Sequence, residues 1–213
     1  MAQTETKRTR RSNTSSIVIW SGLIFALATP LIVASFSPYL AYRNPAYIAA
    51  GFAGILALLL LILQPLFAGL LLPNVPLRTA RLWHRATGSL IIVAVVVHVA
   101  GLFVTSPPDT LDALFLVSPT PFSLYGVLAL WGVILTGLLV ALRRKLPLRY
   151  LPWAILHNTL AFLIVMTTVV HALLIEGTMG PLSKWLTCLA VVLLTTWVLY
   201  DIRIRRKKAP SRG

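Results

Sequence analysis

The sequence predicts an all-α membrane protein built as a six-helix transmembrane bundle, and three observations carry that prediction. The chain of 213 residues is 58% hydrophobic and 11% charged, whereas soluble domains carry about a quarter charged residues. Six apolar runs, 16–36, 46–72, 82–104, 122–142, 153–175 and 184–200, each reach or approach the ~20 residues that cross a bilayer as a helix. The cations are also sorted by side. With the N-terminus inside, only Arg43 and Lys184 of the 19 Lys and Arg fall outside, which leaves 17 within, while Asp109, Asp112 and Glu176 lie outside. That is the positive-inside pattern of a multi-pass protein. It reads the net charge of +14 as topology and contact with anionic lipid, and it excludes a nucleic-acid role.

The first run, SIVIWSGLIFALATPLIVASF, follows a basic stretch and is longer than the apolar part of a secretory signal, so it reads as a spanning helix. Ser37-Pro38 and Asn44-Pro45 stop it and open the second run, in which Pro65 predicts a kink. Pro73 and Pro76 precede the third run. The outer loop 105–122, TSPPDTLDALFLVSPTPF, is the longest connection and the most acidic. Pro147 and Pro152 mark the inner turn after the fourth run, and Pro181 precedes the sixth. Residues 1–15 form a basic cytoplasmic N-terminal tail, 16–200 the membrane domain, and 201–213 a basic cytoplasmic C-terminal tail. The single cysteine, Cys188, lies in the sixth run, so no internal disulfide forms.

The third and fifth runs carry all four histidines. WHRATGSLIIVAVVVHVAG holds His84 and His98, and PWAILHNTLAFLIVMTTVVHALL holds His157 and His171. Both pairs are 14 residues apart, which in a helix is ~21 Å of rise and within ~40° of a whole number of turns. Each pair therefore shares one face at two depths. Odd-numbered spans run the same way, so His84 faces His157 near the inner surface and His98 faces His171 near the outer.

Imidazoles in hydrocarbon need ligation or hydrogen bonding. Two imidazoles facing each other in an apolar surround match a six-coordinate b-type haem, which brings its own four nitrogens. Zinc fits less well, because each level offers two imidazoles and no Cys or carboxylate to complete four ligands. The bundle is thus expected to hold two haem sites between the third and fifth helices.

Gly88, one turn beyond His84, and Gly101, close after His98, give room for a porphyrin. Arg81, Arg85 and Arg149 stand where the propionates of an inner haem would point. Thr167, one turn before His171, is placed to steady that ring, although a threonine in a membrane helix more often bonds its own backbone. Trp83 and Trp153 read as interfacial anchors, and Met166 and Cys188 as packing residues.

This histidine pattern, on the third and fifth of six helices, resembles the ferric reductase-like transmembrane domain shared by ferric reductases and NADPH oxidases. The resemblance covers about 46–200. The stretch RRKLPLRYLPWAILHN is also similar to MsrQ, the haem-binding membrane subunit of the periplasmic methionine sulfoxide reductase system. MsrQ-like proteins tend to carry arginine where this chain has His84, a departure that favours the two-haem pattern. The resemblance implies haem b ligated by His84 with His157 on the inner side and by His98 with His171 on the outer.

Larger family members continue into flavin- and nicotinamide-binding domains. Here the last run is followed by a basic stretch without a G-x-G-x-x-G fingerprint. The expectation is the haem subunit of an oxidoreductase in the bacterial inner membrane. It would be served by a separate inner-side donor, a flavoprotein reductase or a quinol, with a flavin between donor and inner haem left open. Ferric iron or a periplasmic protein would be the acceptor. A proton or metal transporter using the histidines is the rival from another class, and it would ordinarily place acids deep in the spans, where this chain has none.

Overall fold

The computed structural model describes the backbone of residues 2–208 and the side chains of residues 14–204. The cations Lys7, Arg8, Arg10 and Arg11 of the first tail, and those from Arg205 onward, lie outside the described side chains. In chain order the elements are α1 (Ala2–Ser35), a 3₁₀ turn (Pro38–Leu40), α2 (Pro45–Ala68), α3 (Leu77–Thr105), α4 (Pro107–Leu114), α5 (Pro121–Ala141), α6 (Tyr150–Leu174) and α7 (Pro181–Lys208). Among the described residues there is no strand. Six helices are long and apolar enough to cross a membrane, namely α1, α2, α3, α5, α6 and α7. They correspond in order to the six apolar runs, so the third and fifth spans are α3 and α6.

Proline sets the starts. Pro45, Pro107 and Pro121 each occupy the first turn of a helix, where the missing N–H costs nothing and the fixed φ already suits the helix. Asn44 caps α2 by accepting the Ala46 N–H through Oδ1 at 2.8 Å. One element was not expected. The acidic loop after α3 contains the eight-residue α4, started by Pro107 and tied at its first turn by Ser106 Oγ donating to Asp109 at 2.5 Å. Pro65 is accommodated close to a helix end, three residues before α2 stops at Ala68.

The helix at the centre is α2. It packs on α3, α7 and α1, and its Leu58 and Leu59 are each only 2% exposed. The core they anchor continues through Val191 and Cys188 of α7, Ile164, Val165 and Val169 of α6, and Ile91 of α3. Cys188 is a packing residue, as its sequence position implied. Small residues let backbones approach, as membrane helices require when no hydrophobic force separates helix from lipid. A Cβ on Gly101 would stand 2.8 Å from the Ala46 carbonyl and from Ala50 Cβ. Gly101 therefore closes the α2–α3 contact rather than widening a space beside His98, which corrects the role expected of it.

The packing is divided into two tight couples, α2 with α3 and α5 with α6; α3 and α6 are not a packed pair. They meet through their histidines instead. Truncating the α2 core with Leu58→Ala is expected to cost ~2–5 kcal/mol, whereas Leu193→Ala, on a face of α7 that is 58% exposed, should change stability by less than ~0.5 kcal/mol. Thermal unfolding in detergent measures both, and equal effects would refute the packing described here.

Candidate functional site

His84 and His157 each stand seven residues after the first residue of their helices, Leu77 and Tyr150. Because the spacing to the second histidine is the same on both, parallel helices that start level keep the rings level twice. The ring centres of His84 and His157 are 6.3 Å apart with planes at 66°, and those of His98 and His171 are 6.4 Å apart at 84°. All four rings are partly buried.

The second ring nitrogen of three histidines is committed to a neighbouring backbone. His98 Nδ1 lies 2.7 Å from the Ala50 carbonyl of α2, and His171 Nδ1 2.8 Å from the Phe122 carbonyl of α5. His84 Nδ1 lies 3.3 Å from the Gln64 carbonyl of α2. A carbonyl only accepts, so Nδ1 carries the proton in each, and in a neutral imidazole the lone pair is then left on Nε2. That is the tautomer a metal-bound histidine adopts, with its other nitrogen donating to a backbone oxygen.

The contacts of His98 and His171 are built alike. Each acceptor belongs to a helical residue, and four residues further along the same helix stands a glycine: Gly54 after Ala50, Gly126 after Phe122. A Cβ on Gly54 would come within 2.9 Å of His98 Nδ1, and one on Gly126 within 2.7 Å of His171 Nδ1 and Cε1. Helical carbonyls have a second lone pair, and here an imidazole reaches it over a residue with no side chain. Neither glycine carried a signal in the sequence, where isolated glycines in apolar helices read as packing. Nor did Ala50 and Phe122, which act through their backbones.

The level of His84 and His157 is built differently. Gln64 Nε2 donates to Thr87 Oγ1 at 2.7 Å and reaches the His84 carbonyl at 3.4 Å, so Gln64 grips the α3 turn that carries His84. A Cβ on Gly88 would meet the Gln64 side chain at 3.9 Å, an ordinary contact. His157 Nδ1 is buried without a hydrogen-bond partner, and its ring is stacked on Trp153, with centres 5.3 Å apart and planes at 7°. Trp153 was expected to be an interfacial anchor; it lies directly against a histidine.

The remaining expected residues are distributed as follows. Arg81 and Arg85 are exposed on α3, and Arg85 Nε donates to the Arg81 carbonyl at 3.3 Å. Arg149 is exposed at the N-cap of α6. The cation nearest Trp153 in the described contacts is Arg143, whose guanidinium carbon lies 5.3 Å from the Trp153 ring centre. Thr167 does not steady His171. Its hydroxyl donates to the Leu163 carbonyl at 2.7 Å, because a threonine within a helix finds the carbonyl four residues back before any distant group.

These residues fit a ligand of restricted kind. Two imidazoles bonded to one metal at ~2 Å, with each ring centre ~1 Å behind its nitrogen, place ring centres ~6 Å apart, which is the separation found at both levels. Among the described residues no three His, Cys, Asp or Glu gather to hold an ion by themselves. A group that brings its own equatorial nitrogens and lacks two axial ones, as haem does, matches this donor set.

The family model described as "Ferric reductase like transmembrane component" matches residues 53–168. That stretch begins in α2, ends in α6 and contains His84, His98 and His157, with His171 three residues beyond it. No curated protein and no solved structure matches the chain.

Crowding of the outer imidazoles follows from the glycine geometry. Gly126→Leu is expected to displace His171 and destabilise the fold by ~1–3 kcal/mol, while Gly22→Leu, at a position with open space around its Cβ, leaves stability unchanged. Thermal unfolding of the purified variants checks this, and equal midpoints would contradict the contact.

Proposed function

Because the chain belongs to the ferric reductase-like transmembrane component family, we propose that it is a dihaem b-type cytochrome that carries electrons across the membrane, one at a time, from an inner-side donor to an outer-side acceptor. The observation that carries this reading is the pair of imidazole couples, 6.3 and 6.4 Å between ring centres, set between two helices that otherwise do not pack together. Haem b bound at each level supplies the one-electron change at iron.

The residues of the chain do the rest. His84 and His157 hold the inner group, and His98 and His171 the outer. The carbonyls of Ala50, Phe122 and Gln64 keep three of these rings in the tautomer whose Nε2 is free, and they strengthen each ring as a ligand by accepting its other proton. Val95 and Val99 of α3 line an apolar surface groove with Leu130 of α5. Arg81, Arg85 and Arg149 are the residues that would hold the inner propionates.

The basic inner ends of α3 and α6 suit a donor with an acidic surface, a flavoprotein reductase before a quinol. The acceptor is ferric iron or a periplasmic protein. In this reading the protein lies in a bacterial inner membrane with both termini cytoplasmic.

Protein purified from haem-replete cells should be red, with two haems per chain and a spectrum that sharpens on reduction by dithionite. His98→Ala should retain one haem and lose electron transfer across a proteoliposome membrane. A colourless wild-type preparation would end the proposal in favour of a transporter-like use of the histidines, and full haem content in His98→Ala would end the ligand assignment.

A further inference from the structure

The four imidazoles are not held alike, and the exception is His157. Its three counterparts each present Nδ1 to a backbone carbonyl, while its own Nδ1 is buried with no partner. What fixes the ring is Trp153, one turn earlier on the same helix, in an offset parallel stack at 5.3 Å and 7°. The indole is itself secured from three directions. Its Nε1 donates to the Leu139 carbonyl of α5 at 3.4 Å, and the Arg143 guanidinium lies 5.3 Å from its ring centre. Tyr150 stacks on it at 6.5 Å and 30°. Arg143 is tied in turn, since its Nη1 donates to the Leu148 carbonyl at 3.1 Å.

We propose that Trp153 is the positioning residue of the inner site: it sets the plane of the His157 imidazole by stacking, in the place that a carbonyl hydrogen bond takes at the other three histidines. The inference rests on the haem reading above and deepens it.

Two consequences follow from the chemistry. A hydrogen bond accepted from Nδ1–H raises the basicity of the ligating nitrogen, so His157 is the weakest donor of the four and the inner couple is unequal, one ring backed by the Gln64 carbonyl and one by an indole face. The rotation of His157 about its own side chain is limited by the flat indole surface, with no hydrogen bond at Nδ1 to assist it. The 66° between the inner rings therefore depends on Trp153, whereas the 84° between the outer rings depends on two carbonyls. The relative orientation of two axial imidazoles is read directly by the electron paramagnetic resonance of low-spin ferric haem, which makes the assignment testable without any assay of turnover.

The experiment uses full-length protein purified with its haem, with Trp153→Leu, which stays apolar but removes the flat face, and Trp153→Phe, which restores an aromatic face. Trp153→Leu should shift or abolish one of the two low-spin signals and one of the two midpoint potentials. The affected component should be the one that survives in His98→Ala, and Trp153→Phe should return both readings toward wild type. Signals and potentials unchanged in Trp153→Leu, or a shift confined to the outer component, would overturn the inference while leaving a two-haem cytochrome in place. Wild-type protein without haem would instead overturn the reading on which it rests.

Discussion

An imidazole inside a bilayer has two nitrogens to satisfy and no water to do it, and the site depends on how that demand is met. Backbone carbonyls of α2 and α5 take the Nδ1 proton of His98 and His171. In a neutral ring this settles the other nitrogen as a lone pair aimed away from the carbonyl. Leaving such a lone pair unused in hydrocarbon is costly, and the couple of His98 and His171, with ring centres 6.4 Å apart, brings two of them to one depth. The helix packing, the glycines and the position of α3 against α6 can each be understood as serving that arrangement.

Division of the bundle into the couples α2–α3 and α5–α6 follows from where the carbonyls must be. Each outer histidine finds its acceptor on the partner helix within its own couple: α3 on α2, α6 on α5. Close approach inside each couple is therefore what turns the rings to face across it. Gly54 and Gly126 make the approach possible at the level of the outer rings, and Gly101 brings the α2 and α3 backbones together close by. Between the couples nothing of the kind occurs, and the separation of α3 from α6 is bridged by side chains of fixed length. The interior of the bundle is thereby organised around the imidazoles rather than around an apolar seam.

The parts of this arrangement that were legible in the sequence are those with a length or a period. Run length and proline gave the six spans in order, to within a residue at the starts of α2 and α5, where Pro45 and Pro121 carry a local steric reason, but five residues late at the start of α3. The equal 14-residue spacing gave the level pairing of histidines, because helical rise converts sequence distance directly into depth. What escaped was carried by groups without a side-chain signature, the Ala50 and Phe122 carbonyls, or by residues whose ordinary use at a membrane edge is different, as with Trp153. The helix α4 escaped because eight residues starting Pro-Pro-Asp are too few to show a period. Thr167 bonds its own helix, the ordinary use of a threonine in a membrane span and the alternative to steadying His171.

The match between the two histidine-bearing helices has a further physical consequence. Fourteen residues fall ~40° short of four whole turns, so the outer ring on each helix is rotated slightly from the inner one, and by the same amount and sense on both. Parallel helices that share this offset can keep both couples facing only if they also share a tilt or a gentle left-handed crossing, the relation that a repeat slightly off the helical period imposes on packed helices. A single-residue insertion between His98 and His84 would rotate one outer ring by ~100° and raise it by ~1.5 Å, destroying the outer couple while leaving the inner intact. Equal spacing on α3 and α6 is thus a condition for having two sites at all, and the start of both helices seven residues before their first histidine is what brings the two rulers to the same zero.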